Sequence, residues 1–121
     1  MKYANEALKV AEEKIEYLRV PQYKRPDILK IIKTYFQKDK RVVSAWIFGS
    51  FARKEEIYNS DIDIMIKMDE KKSYSLFDLA DIQYNLENLI KRKVDIVEKG
   101  YIKPFAWDSV KNDLQLIYGK I

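Results

Sequence analysis

The stretch DIDIMIKM, residues 61–68, alternates between two kinds of side chain along almost its whole length. Ile62, Ile64 and Ile66 fall on one side of an extended chain, and Asp61, Asp63 and Met65 on the other. That is the period of a strand with one face turned to a core. Such a strand needs partners for its edges, and the two aspartates on its second face repel each other unless a cation or a polar group offsets them. The chain is therefore committed to a sheet whose acidic corner has something to bind.

Partners for the strand are at hand. Val42–Phe48 (VVSAWIF) is β-branched and aromatic and has the length of a buried strand, with Trp46 expected in the core. Gly49 stops it, and residues 50–60 form a turn with room for a short helical piece, Asn59-Ser60 reading as a break. Residues 94–97 (VDIV) supply a third strand. Pro26 and Asp27 suit the first turn of a helix whose Ile28, Ile31, Ile32, Tyr35 and Phe36 share a face. Upstream, Ala4, Ala7, Leu8, Ala11, Ile15 and Leu18 recur at helical spacing until Pro21. Ser75 with Asp78 forms a capping box. It opens a helix striped by Leu76, Leu79, Ile82, Leu86, Leu89 and Ile90, with the positive charges of residues 91–93 at its C-terminal end. Tyr17, Tyr35 and Tyr84 sit at helical spacings that suggest packing. Pro104 starts a last helix through about residue 113; residues 114–118 fit either its continuation or an edge strand.

The order α-α-β-β-α-β-α predicts an α+β fold, a small mixed sheet flanked by helices. A chain of 121 residues, 47% hydrophobic, suits one domain: helices over residues 1–40 and a core over 42–119. The turn after Val42–Phe48 allows antiparallel pairing with residues 61–68, and the helical crossover then sets residues 94–97 parallel to them. Gly49, Ser50, Asp61, Asp63 and Asp95 thereby converge on one edge.

Composition narrows the chemistry available there. The chain has no cysteine and no histidine, which excludes thiolate or imidazole metal sites and a Ser-His-Asp triad. Clustered carboxylates favour a hard divalent ion such as Mg²⁺, which retains open positions for phosphate oxygens. Two ions could serve the attacking oxygen and the leaving pyrophosphate. The Gly-Ser turn offers backbone N–H groups for phosphates, and Arg53 and Lys54 follow with positive charge. Each feature alone has a plainer reading: a lone Asp-x-Asp is more often a solvated edge, and Asp95 could pair with Lys93 or Arg92. Tyr58 could stack on a base or pack over its own turn. Their combination at one edge is what points to nucleotide chemistry.

The net charge of +4, from 23 basic and 19 acidic residues, would help attract a polyanionic nucleotide but does not form the basic face that nucleic-acid binding needs. The acidic N-terminal stretch differs from a secretory signal, and no apolar run approaches the length of a membrane span. A soluble cytoplasmic protein is expected. An apolar stripe on the first helix could serve the core, a partner or a homo-oligomer.

GSFARKEEIYNSDIDIMI, with ten residues between Gly-Ser and Asp-x-Asp, resembles the signature of the DNA polymerase β-type nucleotidyltransferase superfamily. KVDIV is similar to the strand with the family's third carboxylate, and IKPFAWDSVKNDLQLIYG to the closing segment of the minimal nucleotidyltransferases (MNT). The resemblance spans roughly residues 42–119. It implies transfer of a nucleoside monophosphate, usually AMP from ATP, with release of pyrophosphate. By position, Asp61 and Asp63 would bind two Mg²⁺ ions, Asp95 would complete the catalytic metal site and help deprotonate the acceptor, and Gly49 and Ser50 would hold the triphosphate. Many small relatives are antitoxins that adenylylate a tyrosine of a HEPN-type toxin, and that role is expected here. A non-catalytic antitoxin that masks its partner, or a small-molecule nucleotidyltransferase of the aminoglycoside type, are the alternatives. One position departs from the pattern: Lys54 stands where such loops often have glycine. A left-handed backbone there would cost about 1 kcal/mol.

Overall fold

The computed structural model describes residues 23–55 and 60–120. The expected N-terminal helix, Tyr17 and Tyr58 lie outside the described residues. The elements are α1 (Arg25–Lys38), β1 (Val42–Phe48), α2 (Gly49–Ala52), β2 (Ile62–Met68), α3 (Leu76–Ile90), β3 (Val94–Glu98), α4 (Pro104–Val110) and β4 (Gln115–Gly119).

The β-branched residues of β1 and the alternating residues of β2 pair antiparallel, from Val42 opposite Met68 to Phe48 opposite Asp63. α3 carries the chain back over the sheet, so β3 pairs parallel to β2. The order across the sheet is β3-β2-β1-β4. One face bears Ile62, Ile64 and Ile66, which join Ile28, Ile32 and Phe36 of α1 and Ile82, Leu86 and Ile90 of α3 in a single core. The other face buries Met65 and Trp46, which are partners in the β1–β2 register. The Lys99 ammonium stands 5.2 Å from the centre of the Trp46 ring, a contact that tolerates a charge over the indole's negative face.

The end of the chain resolves the open alternative. α4 stops at Val110, short of residue 113, and Gln115–Gly119 forms an edge strand antiparallel to β1. Non-local packing decides this: Tyr118 stacks on Phe36 of α1 with ring centres 6.2 Å apart, and the Ser44 hydroxyl donates to the Lys120 carbonyl at 2.5 Å.

The capping box forms as read, with Ser75 Oγ accepting from the Phe77 amide at 3.2 Å and Asp78 accepting from the Ser75 amide at 2.9 Å. The apolar stripe of α3 is narrower than its leucines imply. Ile82, Leu86 and Ile90, one turn apart, are buried, whereas Leu76 is 81% and Leu89 48% exposed. Leu76 begins the helix with no turn before it, and Leu89 is rotated about 100° from Ile90. Tyr84 is likewise not packed but 65% exposed, because two residues beyond Ile82 puts it about 200° around the helix.

Candidate active site

Register builds the site. Asp63 is the second residue of β2 and lies opposite Phe48 at the end of β1, while Asp95 is its direct partner on β3. Neighbouring strands are about 4.8 Å apart and matched residues point to the same face, so Asp63 and Asp95 stand side by side. Asp61 sits just before the strand, close enough for its charge to act on Asp63. Of the three carboxylates expected to converge, Asp63 and Asp95 are matched in register although 32 positions of sequence separate them, and Asp61 is linked to them by its charge on Asp63.

Gly49 completes the corner from the other side. Its φ is +72°, a left-handed conformation that suits glycine. A Cβ added there would lie 2.3 Å from Asp63 Oδ2, well inside contact distance. Absence of a side chain is what lets the turn and the carboxylate approach. Ser50 is partly exposed in α2, immediately beside this contact.

Electrostatics register the crowding. Burial pushes the Asp63 carboxyl up from 3.8 to about 6; the charges of Asp95 and Asp61 add to the rise and Arg53 opposes it. A carboxylate cluster without compensation is strained toward protonation, and a cation removes the strain. Every donor at the corner is a carboxylate oxygen, a backbone group or a hydroxyl, which fits a hard cation such as Mg²⁺ rather than a soft one. Among the described residues, however, no three acidic side chains are drawn tightly enough to enclose an ion by themselves.

The two cations expected to meet phosphate differ. Arg53 is ion-paired to Glu55 at 2.9 Å and to Asp113 at 2.6 Å, so its guanidinium is already engaged, although its charge still reaches Asp63. Lys54 is exposed and has φ +61°. The left-handed conformation that glycine would accept without penalty is thus imposed on a lysine here.

Two residues around the turn were not singled out from sequence, and a third, Arg92, makes a contact other than the one the sequence suggested. Arg25 donates through its guanidinium to the carbonyls of Phe51 and Ala52 and lies 4.4 Å over the Phe51 ring. Gln115 also donates to the Ala52 carbonyl, at 2.9 Å. Arg92 does not pair with Asp95; it donates to the Ser60 carbonyl at 2.6 Å and faces Phe51. Nothing in the local pattern marks these contacts, since each joins segments far apart in sequence. A cavity of about 620 Å³ opens at the opposite end of the sheet, around Met68, Tyr74, Leu76 and Tyr101, and contains none of the expected site residues.

The corner thus joins a glycine turn to two strand aspartates held in register on a mixed sheet. Residues 30–120 match the family described as "Polymerase beta, Nucleotidyltransferase". A relative from Methanocaldococcus jannaschii, "Putative protein adenylyltransferase MJ0128", is 41% identical over 90 residues, covering 73% of this chain and 89% of the relative. Among solved structures, a "putative minimal nucleotidyltransferase" is 28% identical with a TM-score of 0.54, covering 75% of this chain and 86% of the other. A tri-AMPylated Shewanella oneidensis HEPN toxin in complex with MNT antitoxin is 17% identical with a TM-score of 0.59, covering 80% of this chain and 74% of the other. The last likeness is one of fold. The chain belongs to the polymerase β nucleotidyltransferase family.

Proposed function

We propose that this chain is a Mg²⁺-dependent protein adenylyltransferase that moves AMP from ATP to a hydroxyl of a partner protein, a tyrosine of a HEPN-type toxin, and so acts as its antitoxin. The observation that carries the reading is the in-register pair Asp63 and Asp95, with Gly49 packed so closely on Asp63 that no side chain would fit. Support for the acceptor class comes from the named activity of the M. jannaschii relative. Support for the partner comes from the fold shared with an antitoxin bound to its HEPN toxin.

In this reading Asp61 and Asp63 would hold two Mg²⁺ ions, with Asp95 completing the ligand set. Bound there, the ions would supply positive charge to the attacking oxygen and to the leaving pyrophosphate. The residues divide the remaining work. Backbone N–H groups at Gly49 and Ser50 hold the triphosphate in the close space the glycine leaves. Lys54 offers charge at the rim, and Arg53 joins it by exchanging an exposed carboxylate partner for phosphate. The acceptor oxygen forms a bond to the α-phosphorus as the bond to pyrophosphate breaks, and the hydroxyl proton passes to Asp95. The balance is one hydroxyl and one ATP to one adenylylated side chain and pyrophosphate. A cytoplasmic place of action is part of the same proposal, in keeping with the use of ATP; no described helix is long and apolar enough to cross a membrane.

The test is to incubate the protein, Mg²⁺ and ATP labelled at the α-phosphate with a HEPN-type partner. Transfer of label to the partner, abolished in Asp63→Ala, is the expected result. Neutralisation of the partner by Asp63→Ala with no label transferred by either protein would overturn catalysis in favour of masking.

A further inference from the structure

We infer that Arg92 is a positioning residue that sets the spacing between the phosphate-binding turn and the catalytic carboxylates. The inference rests on the nucleotidyl-transfer reading of that corner and adds to it a residue that touches neither nucleotide nor carboxylate.

The site is assembled from three stretches of chain: the turn beginning at Gly49, the entry to β2 at Asp61, and β3 with Asp95. Strand pairing fixes Asp63 against Asp95, but Ser50 and Asp61 lie outside the paired residues of β1 and β2. Side-chain contacts therefore bear on their separation. Arg92 sits between the end of α3 and the start of β3, three positions before Asp95. Its Nη2 donates to the backbone carbonyl of Ser60 at 2.6 Å, with the Ser60 hydroxyl at 3.4 Å. Ser60 is the residue before Asp61. Its guanidinium carbon is also 5.7 Å from the centre of the Phe51 ring, and Phe51 is the residue after Ser50. Phe51 is fully buried and carries the Arg25 guanidinium at 4.4 Å, so the ring is a fixed anchor.

One side chain thus touches the neighbour of Ser50 and the neighbour of Asp61, and it is tied by three peptide bonds to Asp95. The chemistry demands a guanidinium. Its charged N–H makes a stronger bond to a carbonyl than a neutral donor does, and its flat face rests on an aromatic ring while its edge donates. A lysine has a shorter reach and ends in a point charge, and it satisfies one of these contacts at a time. An alanine removes the link between the Ser60 carbonyl and the Phe51 ring, and with it one of the contacts that set a spacing to which metal and phosphate ligands are sensitive.

The experiment measures binding of the non-hydrolysable analogue AMP-PNP with Mn²⁺ to the full chain by titration calorimetry, with melting curves for each variant. Wild type, Arg92→Ala, Arg92→Lys and Lys93→Ala are compared, Lys93 being an exposed cation one position away. Arg92→Ala is expected to bind the analogue at least about tenfold more weakly. Methylguanidinium, added at millimolar concentration, should restore most of that affinity, which a loss of net charge or of global stability would not allow. Arg92→Lys should fall between, and Lys93→Ala should match wild type. Binding by Arg92→Ala or Arg92→Lys within twofold of wild type overturns the inference. So does an equal loss in Lys93→Ala, or failure of methylguanidinium to rescue a folded Arg92→Ala. If Arg92→Ala does not fold, Arg92→Lys decides. A wild type that binds no Mn²⁺ and no AMP-PNP refutes the nucleotidyl-transfer reading and this inference with it; a wild type that binds while the variants are unaffected refutes the inference alone.

Discussion

Replacing Asp63 with asparagine should make the metal-free protein more stable while destroying its activity. The argument starts from the carboxyl's rise from 3.8 to about 6, caused first by burial and then by the charges of Asp95 and Asp61. A folded-state value above the unfolded one means that the stability this group contributes is fully present below about pH 3.8 and is lost as pH rises through about 6. At pH 7.5 the ionised Asp63 therefore weighs against folding. A rise of roughly two pH units corresponds to about 3 kcal/mol at most. The carboxyl is only half-buried, and solvent screening reduces the effect to about 1–2 kcal/mol. Asparagine keeps the shape of the protonated acid and never ionises. With an unfolding entropy of about 0.25 kcal/mol/K for a chain of this size, Tm should rise by roughly 4–8 °C at pH 7.5.

Thermal melts of wild type and Asp63→Asn in chelator, from pH 4 to 8, read this directly. The gap between them should be widest above pH 7 and close toward pH 4. Adding Mg²⁺ and AMP-PNP should reverse the order, because ligands that bind only the folded wild type raise its Tm by mass action and the variant has lost a ligand. An Asp63→Asn protein that is less stable than wild type at pH 7.5 in chelator, or a gap that ignores pH, would falsify the idea that these carboxylates crowd one another.

Two other substitutions probe the corner, and a third probes the ion-paired end of α1. Gly49→Ala places a methyl 2.3 Å from Asp63 Oδ2 at a φ of +72°; a loss of about 2 kcal/mol or more in denaturant melts is expected, with nucleotide binding weakened alongside, and unchanged stability would contradict the close approach. Lys54→Gly relieves the left-handed lysine at φ +61° and should stabilise by up to about 1 kcal/mol; a fall in Tm would show that the lysine side chain contributes more than its backbone costs. Asp39 is partly desolvated, yet its hydrogen bonds from Arg41 and Tyr35 outweigh that and hold its carboxyl below 3.8. Its contribution is therefore present above about pH 4 and lost as pH falls further, so Asp39→Asn should cost about 1 kcal/mol at pH 7 and make the acid unfolding limb shallower, as melts below pH 4 would show.

The parts of the molecule that a reader of residues could place are those governed by local periodicity. Period two in residues 61–68 put Asp61 and Asp63 on the face away from Ile62 and Ile64, and the paired Ser75 and Asp78 marked the start of α3, because solvent and the backbone's own geometry act on neighbours in sequence. Those same local signals overstated the stripe of α3, where Leu76 and Leu89 are apolar yet exposed. Burial depends on what stands opposite, and a helix does not encode its neighbour.

Sequence by itself determined the first three strands, the acidic face, the glycine turn and the absence of any histidine or cysteine chemistry. Only the tertiary structure decided that Asp95 would be the register partner of Asp63, that residues 115–119 would close the sheet's edge, and that Arg92 would bind Ser60 rather than Asp95. The physical reason is range. Backbone conformation and amphipathic spacing are set within a few residues, whereas register, edge pairing and charge partners are chosen among distant segments by the packing that buries the shared core.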